Sequence, residues 1–566
     1  MQARTPVVFL LHLALLATLT TTASFARAAW PEPVVGKDMV ASAHPLATEV
    51  GAELLRNGGN AVDAAVGVSL ALSVVEPWSS GLGGGGFAVV KMGGTLTTFD
   101  MREAAPAAAK ADMFLEDGKV IDGESTSTAR AAAIPGLVRG LAMMHARFGK
   151  LPFKDVVAPA LRLAREGFPV SKKLHAAIAS RVNVFQGDAR RIFLPDGKVP
   201  AIGARLVQTE LADVLQRIGE TRGEDFYVGQ TARELVAGLG KLGGIWTADD
   251  LRAYRPVERQ PVRGTFRGFD VVSMGPPSSG GLLLVQMLSV LDRLPRTEAG
   301  SEARIHLLAE VMKRAFAMRA IGLADPDHVP VDHERFVGQA AIAKLVNDVQ
   351  KAKKATPSKA LSSLIVKRPD RPDTTHFAVV TGDGDGVAMT QTINLRFGNG
   401  QVAEKTGIML NNEMDDFAVA VGVPNAFGLV GDIANAVAPG KRPLSSMTPT
   451  LLLKDGVVVG AFGSPGGSRI ISTTLQVVLA MVDDGFDASE AVSAPRVHHQ
   501  WYPEHLSLER HAAPAEIRAL LQKRGHKLDT GSAFPVMGNA MAIWRRADGL
   551  LEGAADPRGE GSARGL

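Results

Sequence analysis

The stretch from Asp373 to Asn394 constrains the fold of this chain more than any other. It reads Thr374-Thr375-His376-Phe377-Ala378-Val379-Val380, then Gly382-Asp383-Gly384-Asp385-Gly386, then Val387-Ala388-Met389-Thr390-Gln391-Thr392-Ile393-Asn394. β-Branched residues on either side of a Gly/Asp cluster predict two antiparallel strands around a turn. A turn centred near Asp383 or Gly384 sets Thr374 opposite Thr392. Two such hydroxyls suit a threonine nucleophile. A threonine of this kind works as the first residue of a chain, where its own α-amino group is the base. With a reference pKa of about 7.7–8.0, that amine is partly neutral near physiological pH. Thr374 lies far inside the sequence, so the chemistry requires cleavage between Asp373 and Thr374. Taken alone, a threonine that opens a strand is an ordinary strand residue.

Other motifs change that reading. Downstream stand Gly407-Ile408-Met409-Leu410-Asn411-Asn412-Glu413-Met414-Asp415-Asp416-Phe417, Arg442-Pro443-Leu444-Ser445-Ser446-Met447-Thr448-Pro449 and Gly463-Ser464-Pro465-Gly466-Gly467. Upstream stand His44-Pro45-Leu46-Ala47, Asn57-Gly58-Gly59-Asn60-Ala61-Val62-Asp63-Ala64-Ala65, the run from Glu76-Pro77-Trp78 to Gly86-Phe87, and Asp100-Met101-Arg102-Glu103. Together with the hairpin, and in this order, they closely resemble the γ-glutamyltransferase (glutathione hydrolase) family over nearly all of the chain beyond its first thirty residues.

The resemblance implies an α+β fold, the four-layer αββα sandwich of the N-terminal nucleophile hydrolases. It implies a large subunit, 29–373, and a small subunit, 374–566, made by autocleavage and held together as a heterodimer. Thr374 would attack the Asp373 carbonyl, then serve as the nucleophile on substrate. Thr392 would hold the reacting oxygen. Asn394, two residues on and on the same strand face, would orient the new amine or meet the substrate. Glu413 and Asp416 would pair with the α-amino group of a γ-glutamyl donor, a cation that relieves the repulsion of three acids within four residues. Arg102, Ser445 and Ser446 would bind its α-carboxylate, the arginine as a planar fork. Gly466 and Gly467 would present backbone amides to the oxyanion. The donor is glutathione or a relative, the acceptor water or an amino acid or peptide, and no metal or organic cofactor is required. The loop Val419–Pro439 resembles a lid, with Phe427 where some relatives carry Tyr. If that hydroxyl latches the lid, this lid is looser.

Composition bounds the alternatives. Lys plus Arg is 62 against 58 Asp plus Glu, and no basic block with interleaved aromatics occurs, which argues against nucleic acid. The absence of cysteine excludes disulfides and thiolate chemistry. Arg4, the apolar run Val7 to Leu19 and Ala26-Arg27-Ala28 resemble a secretory signal peptide over residues 1–28. The expected location is periplasmic or secreted, without membrane attachment once the signal is removed. Gly81 to Gly86 is not followed by Gly-Lys-Ser/Thr and spells no phosphate loop. Ser464 lacks the preceding glycine of a nucleophile elbow. His498, His499 and His505 lack zinc-ligand spacing, and the acidic run lacks calcium-loop spacing.

Helical spacing predicts two helices within 46–75, joined at Asn57-Gly58-Gly59-Asn60. A hairpin follows across Met92-Gly93-Gly94. Further helices are expected at Leu137–Phe148, Leu161–Glu166, Leu206–Ile218, Thr231–Leu242, Leu282–Leu291, Ala303–Leu323 and Ile470–Asp484. Residues 350–372 read as a mobile linker and the Gly-rich tail from Asp556 as mobile at its end. Two other functions fit the same scaffold: a glutaryl (cephalosporin) acylase, which Asp416 argues against because a glutaryl group has no α-amine, and an uncleaved amino-acid-binding protein.

Overall fold

A computed structural model of the protein describes residues 30–361, 374–529 and 536–566. Asp373 and the expected signal peptide lie outside them. The principal strands are, in chain order, β1 (Val34–Gly36), β2 (Met39–Ser42), β3 (Gly85–Met92), β4 (Thr95–Asp100), β5 (Val257–Arg259), β6 (Val262–Phe266), β7 (Phe269–Ser273), β8 (Thr375–Val380), β9 (Gly386–Thr392), β10 (Thr450–Lys454), β11 (Val457–Gly463), β12 (Met541–Arg545), β13 (Leu551–Ala555) and β14 (Ser562–Gly565). They form two seven-stranded sheets, ordered β14-β2-β8-β9-β3-β4-β5 and β1-β13-β12-β11-β10-β7-β6. All the pairings within both are antiparallel.

The helices Pro45–Arg56 and Ala61–Val75 pack outside the first sheet, and Gly280–Asp292 and Arg469–Val482 outside the second. This is the expected αββα layering. One hydrophobic core runs from the first helix layer through to the space between the sheets, where Leu451, Ala461 and Ile543 of the second sheet join it, and the other fills the space between the second sheet and its helices.

Local chemistry explains the first pair of helices. His44 caps one, with Pro45 at its first turn. Asn60 and Asp63 form a reciprocal capping box at the start of the other. Between them Gly58 turns the chain at φ +86°. All of Ala61–Val75 is buried, so small residues dominate it.

The β8–β9 hairpin has the expected turn, with Gly384 at φ +82° and Thr381 N–H donating to the Asp385 carbonyl. Its register pairs Thr375 with Gln391 and His376 with Thr390, which sets Thr374 beside Thr392. Strand alternation then splits the hairpin by face. Thr375 and Gln391 point to the helix layer, where Thr375 Oγ1 donates to Glu76 (2.6 Å) and Gln391 Nε2 to the Ser69 carbonyl and Ser80 Oγ. Thr374, His376, Thr390 and Thr392 point the other way, toward the second sheet.

Two expectations are overturned. The described part of the supposed linker is packed: Thr356 is held by Glu310 and Lys313, and Ser358, fully buried, exchanges hydrogen bonds with the backbone carbonyl and indole N–H of Trp501. Its Lys/Ala/Ser/Pro composition hid partners that lie far away in sequence. The tail is strand β14, and Leu566 donates to the Asp38 carbonyl. Its glycines allow close backbone approach, since a Cβ on Gly36 would lie 2.6 Å from Gly565 Cα. The helix expected from Leu161 begins at Phe153, because Pro159 is tolerated inside it. The other expected helices are present within a few residues.

Candidate active site

The end of the hairpin opens into a narrow cleft lined by Arg102, Thr374, Thr392, Asn394, Glu413, Asp416, Phe427, Ser445, Ser446 and Gly467, among others. Nearly every site residue expected from sequence is therefore brought to one place. Gly466 is adjacent to the lining. A larger cavity, walled partly by Arg304, Phe486 and Arg496, contains none of them.

Thr374 Oγ1 lies 3.3 Å from Thr392 Oγ1. The Asn394 N–H donates to the same Thr392 oxygen at 2.8 Å. Asn394 itself corrects an expectation. Strand β9 ends at Thr392 and Asn394 sits at φ +74°, outside strand geometry. Its amide reaches the cleft with Nδ2 donating to the Asn412 carbonyl (2.8 Å). Gly466 (φ +136°) and Gly467 (φ +56°) precede the helix Arg469–Val482, in conformations that L side chains rarely adopt.

The second row of the inner face was not anticipated. His376 Nδ1 meets Thr390 Oγ1 at 2.8 Å, and its Nε2 has no hydrogen-bond partner among the described residues. A Cβ on Gly463, in the strand leading to the glycine pair, would lie 2.3 Å from its Cε1. Burial drives the His376 pKa down to about 3, so the ring is neutral. The unfolded ring, near 6.5, takes up protons first as pH falls. Its contribution is complete above pH 6.5 and is lost progressively down toward pH 3, by about 1.4 kcal/mol per pH unit. His376→Gln should lack this loss. Thermal melts should therefore show the gap between wild type and variant narrowing from pH 7 to pH 5, by an equivalent of roughly 2 kcal/mol. A gap independent of pH would contradict a neutral His376.

Asn411 shapes the acidic turn. Its amide donates to the Gly83 and Ala133 carbonyls and its oxygen accepts from the Glu413 N–H. Glu413–Asp416 then form one 3-10 turn. The cation that relieves their repulsion is Arg102. This fully buried guanidinium lies 2.6 Å from Glu413 Oε2 and 2.5 Å from Asp416 Oδ2. Its Nε donates to the Pro443 carbonyl, and Glu103 is 3.4 Å away. The groups expected to hold opposite ends of a zwitterion are thus paired with each other. Glu413 makes its ion pair without a well-directed hydrogen bond. Burial raises the pKa of Glu413 and Asp416 against the pull of Arg102, and pushes Glu103 up to about 7. Asp415 faces elsewhere, accepting from Ser125 and the Ala426 N–H.

The lid-like loop is fastened without a hydroxyl at 427. Asn425 donates to Asp416 (2.9 Å), Asn435 to the Asp416 carbonyl, and Gln500 to the Phe427 carbonyl (3.2 Å). The Phe427 ring is buried against the second core. His498 binds Ser472 and Gln500, and His499 accepts from the Trp501 N–H. Sequence reasoning missed Asn411, Asn425, Gln500 and His376, and also Arg319, which touches Ser446 from behind. Its helix carries Arg304, Glu310, Lys313 and Arg314 as well, so no local signal set Arg319 apart.

A family model described as gamma-glutamyltranspeptidase matches residues 47–566. A glutathione hydrolase proenzyme of Escherichia coli (strain K12) is 42% identical over 571 residues, spanning 97% of this chain and 98% of that protein. Among solved structures, a cephalosporin acylase from Bacillus halodurans is similar with a TM-score of 0.82 at 28% identity, covering 96% of this chain and 99% of that one. A Helicobacter pylori gamma-glutamyltranspeptidase is similar with a TM-score of 0.55 at 35% identity, covering 57% of this chain and 94% of that one.

Proposed function

The chain belongs to the gamma-glutamyltranspeptidase family, and on that premise we propose that Thr374, freed as a new N-terminus by cleavage after Asp373, is its nucleophile. The protein is an enzyme that cleaves the γ-glutamyl bond of glutathione and related donors, passing the acyl group to water or an amine. The observation that carries the residue assignment is Thr374 Oγ1, 3.3 Å from Thr392 Oγ1, in a cleft that also holds Glu413, Asp416, Ser445, Ser446 and Gly467.

Maturation starts when Thr374 Oγ1 attacks the Asp373 carbonyl. The C–N bond breaks, an ester forms, and water hydrolyses it to leave the Asp373 carboxylate and the Thr374 amine. That amine then takes the Oγ1 proton as the oxygen attacks the γ-carbonyl of the donor. Thr392 donates to the reacting oxygen. The Gly466 and Gly467 amides stabilise the tetrahedral oxyanion. The leaving amine recovers the proton, and water or a second amine resolves the ester. The incoming zwitterion exchanges into the internal ion pair: its ammonium meets Glu413 and Asp416, its carboxylate meets Arg102, Ser445 and Ser446.

The two products of cleavage stay together as a heterodimer. Five strand pairs cross the cut: β1–β13, β7–β10, β2–β8, β3–β9 and β2–β14. No helix among the described residues is long and apolar enough to cross a membrane. The signal-like sequence of residues 1–28 supports a periplasmic or secreted enzyme.

The similarity to a cephalosporin acylase makes a glutaryl amide the rival substrate. A glutaryl group offers Glu413 and Asp416 no cation. Leaving a buried charge without its partner costs about 2–5 kcal/mol, so kcat/KM should favour γ-glutamyl anilide over glutaryl anilide by roughly 30-fold or more. Equal rates, or a glutaryl preference, would reverse the assignment.

A further inference from the structure

We propose that Arg319 is a positioning residue for the donor α-carboxylate, acting by fixing the direction of the Ser446 hydroxyl. The inference rests on the reading that Ser445 and Ser446 bind that carboxylate. Arg319 ends the helix Glu302–Arg319 and is 5% exposed. Its Nη2 donates to Ser446 Oγ at 3.3 Å and its Nε to Ser279 Oγ at 2.9 Å. A guanidinium donates and never accepts. Ser446 Oγ is therefore the acceptor in this contact, and its proton is left to point into the cleft that it lines. A hydroxyl set this way offers a carboxylate a donor with no rotamer search.

The same guanidinium braces the loop that carries both serines. Ser279 Oγ and the Ser279 N–H donate to the Ser445 carbonyl at 2.7 and 2.9 Å, and the Ser445 N–H donates to the Pro277 carbonyl at 2.8 Å. Arg319 thus ties the segment Pro277–Ser279 to Ser445 and Ser446 from the side away from the substrate.

Charge makes the second argument. Arg102 is already shared among Glu413, Glu103 and Asp416. Among the described residues no carboxylate lies within ion-pair distance of Arg319; burial lowers its pKa to about 10, and the nearby Asp416 charge opposes that shift. Arg319 thus stands behind the two serines as a buried cation with no salt bridge of its own among the described residues, and an entering carboxylate meets it through Ser446.

The test compares γ-glutamyl anilide with 4-aminobutyryl anilide, which keeps the amine and lacks the α-carboxylate, at enzyme concentrations high enough to follow both. Arg319→Gln should raise KM for the γ-glutamyl donor by roughly 10- to 100-fold, the usual weight of hydrogen bonds to a charged group, and change kcat by less than about threefold. Its kcat/KM for the 4-aminobutyryl donor should stay within about twofold of wild type, and Arg319→Lys should recover part of the KM. Ser279→Ala, which leaves the charge in place, should reproduce the effect at a few-fold and serves if the arginine variants do not mature. A loss shared equally by both donors, or an unchanged KM in either variant, overturns the proposal. Wild-type enzyme that makes no distinction between the donors overturns the carboxylate reading beneath it, and the Arg319 role with it.

Discussion

Thr374→Ala is expected to yield a single uncleaved chain with γ-glutamyl transfer lowered by roughly ten-thousand-fold or more, the scale of removing a covalent nucleophile. One oxygen performs two reactions, so a single substitution removes both. Without Oγ1 there is no acyl shift at Asp373, and without the shift there is no α-amine to act as base. The fold itself should persist. Thr374 precedes β8, and its side chain lies at the cleft, 3.3 Å from Thr392 Oγ1. Thr374→Ser keeps the oxygen and should mature and turn over more slowly. Gel analysis and anilide turnover of the two variants decide the point. Cleavage in Thr374→Ala would show that another group carries maturation.

Arg102→Met is expected to cause the largest loss of stability in the site. Removing one partner of a buried ion pair costs about 3–5 kcal/mol, and here one guanidinium serves Glu413, Asp416 and Glu103. The pH dependence identifies the cause. Burial already holds these carboxyls above their usual range, Glu103 at about 7. Without Arg102 they rise further, so the folded variant binds more protons than the unfolded chain. Its stability is then fully present below about pH 4.5 and lost as pH rises through the folded values. The Tm gap to wild type should widen from pH 5 to pH 8. A gap that does not change would mean that the acids are held by something other than Arg102.

The hairpin was legible because a glycine turn fixes register, and register alone brings Thr374 to Thr392. The cleft was legible residue by residue through the family's motifs, which supply membership of a site without its internal contacts. Arg102 shows the difference. Its motif marks it as a carboxylate binder, yet in the folded chain its nearest anions are Glu413 and Asp416, a pairing set by tertiary packing that no local pattern encodes. The looseness expected of the lid-like loop was read from one missing hydroxyl at Phe427, whereas Asn425 within the loop and Gln500 outside it hold it by contacts that no local pattern marks. Residues 352–358 and β14 were misread for one reason. Composition reports local propensity, and both segments are ordered by distant partners, Glu310, Lys313 and Trp501 for the first and β2 for the second.

The most direct test of the account is a denaturing mass spectrum of the purified protein, taken before and just after exposure to a γ-glutamyl donor with no amine acceptor. The account predicts two chains, the smaller beginning at Thr374. That chain should gain one γ-glutamyl group on Thr374 and lose it when a dipeptide acceptor is added. A single uncleaved chain, or a glutamyl group on any other residue, would contradict it.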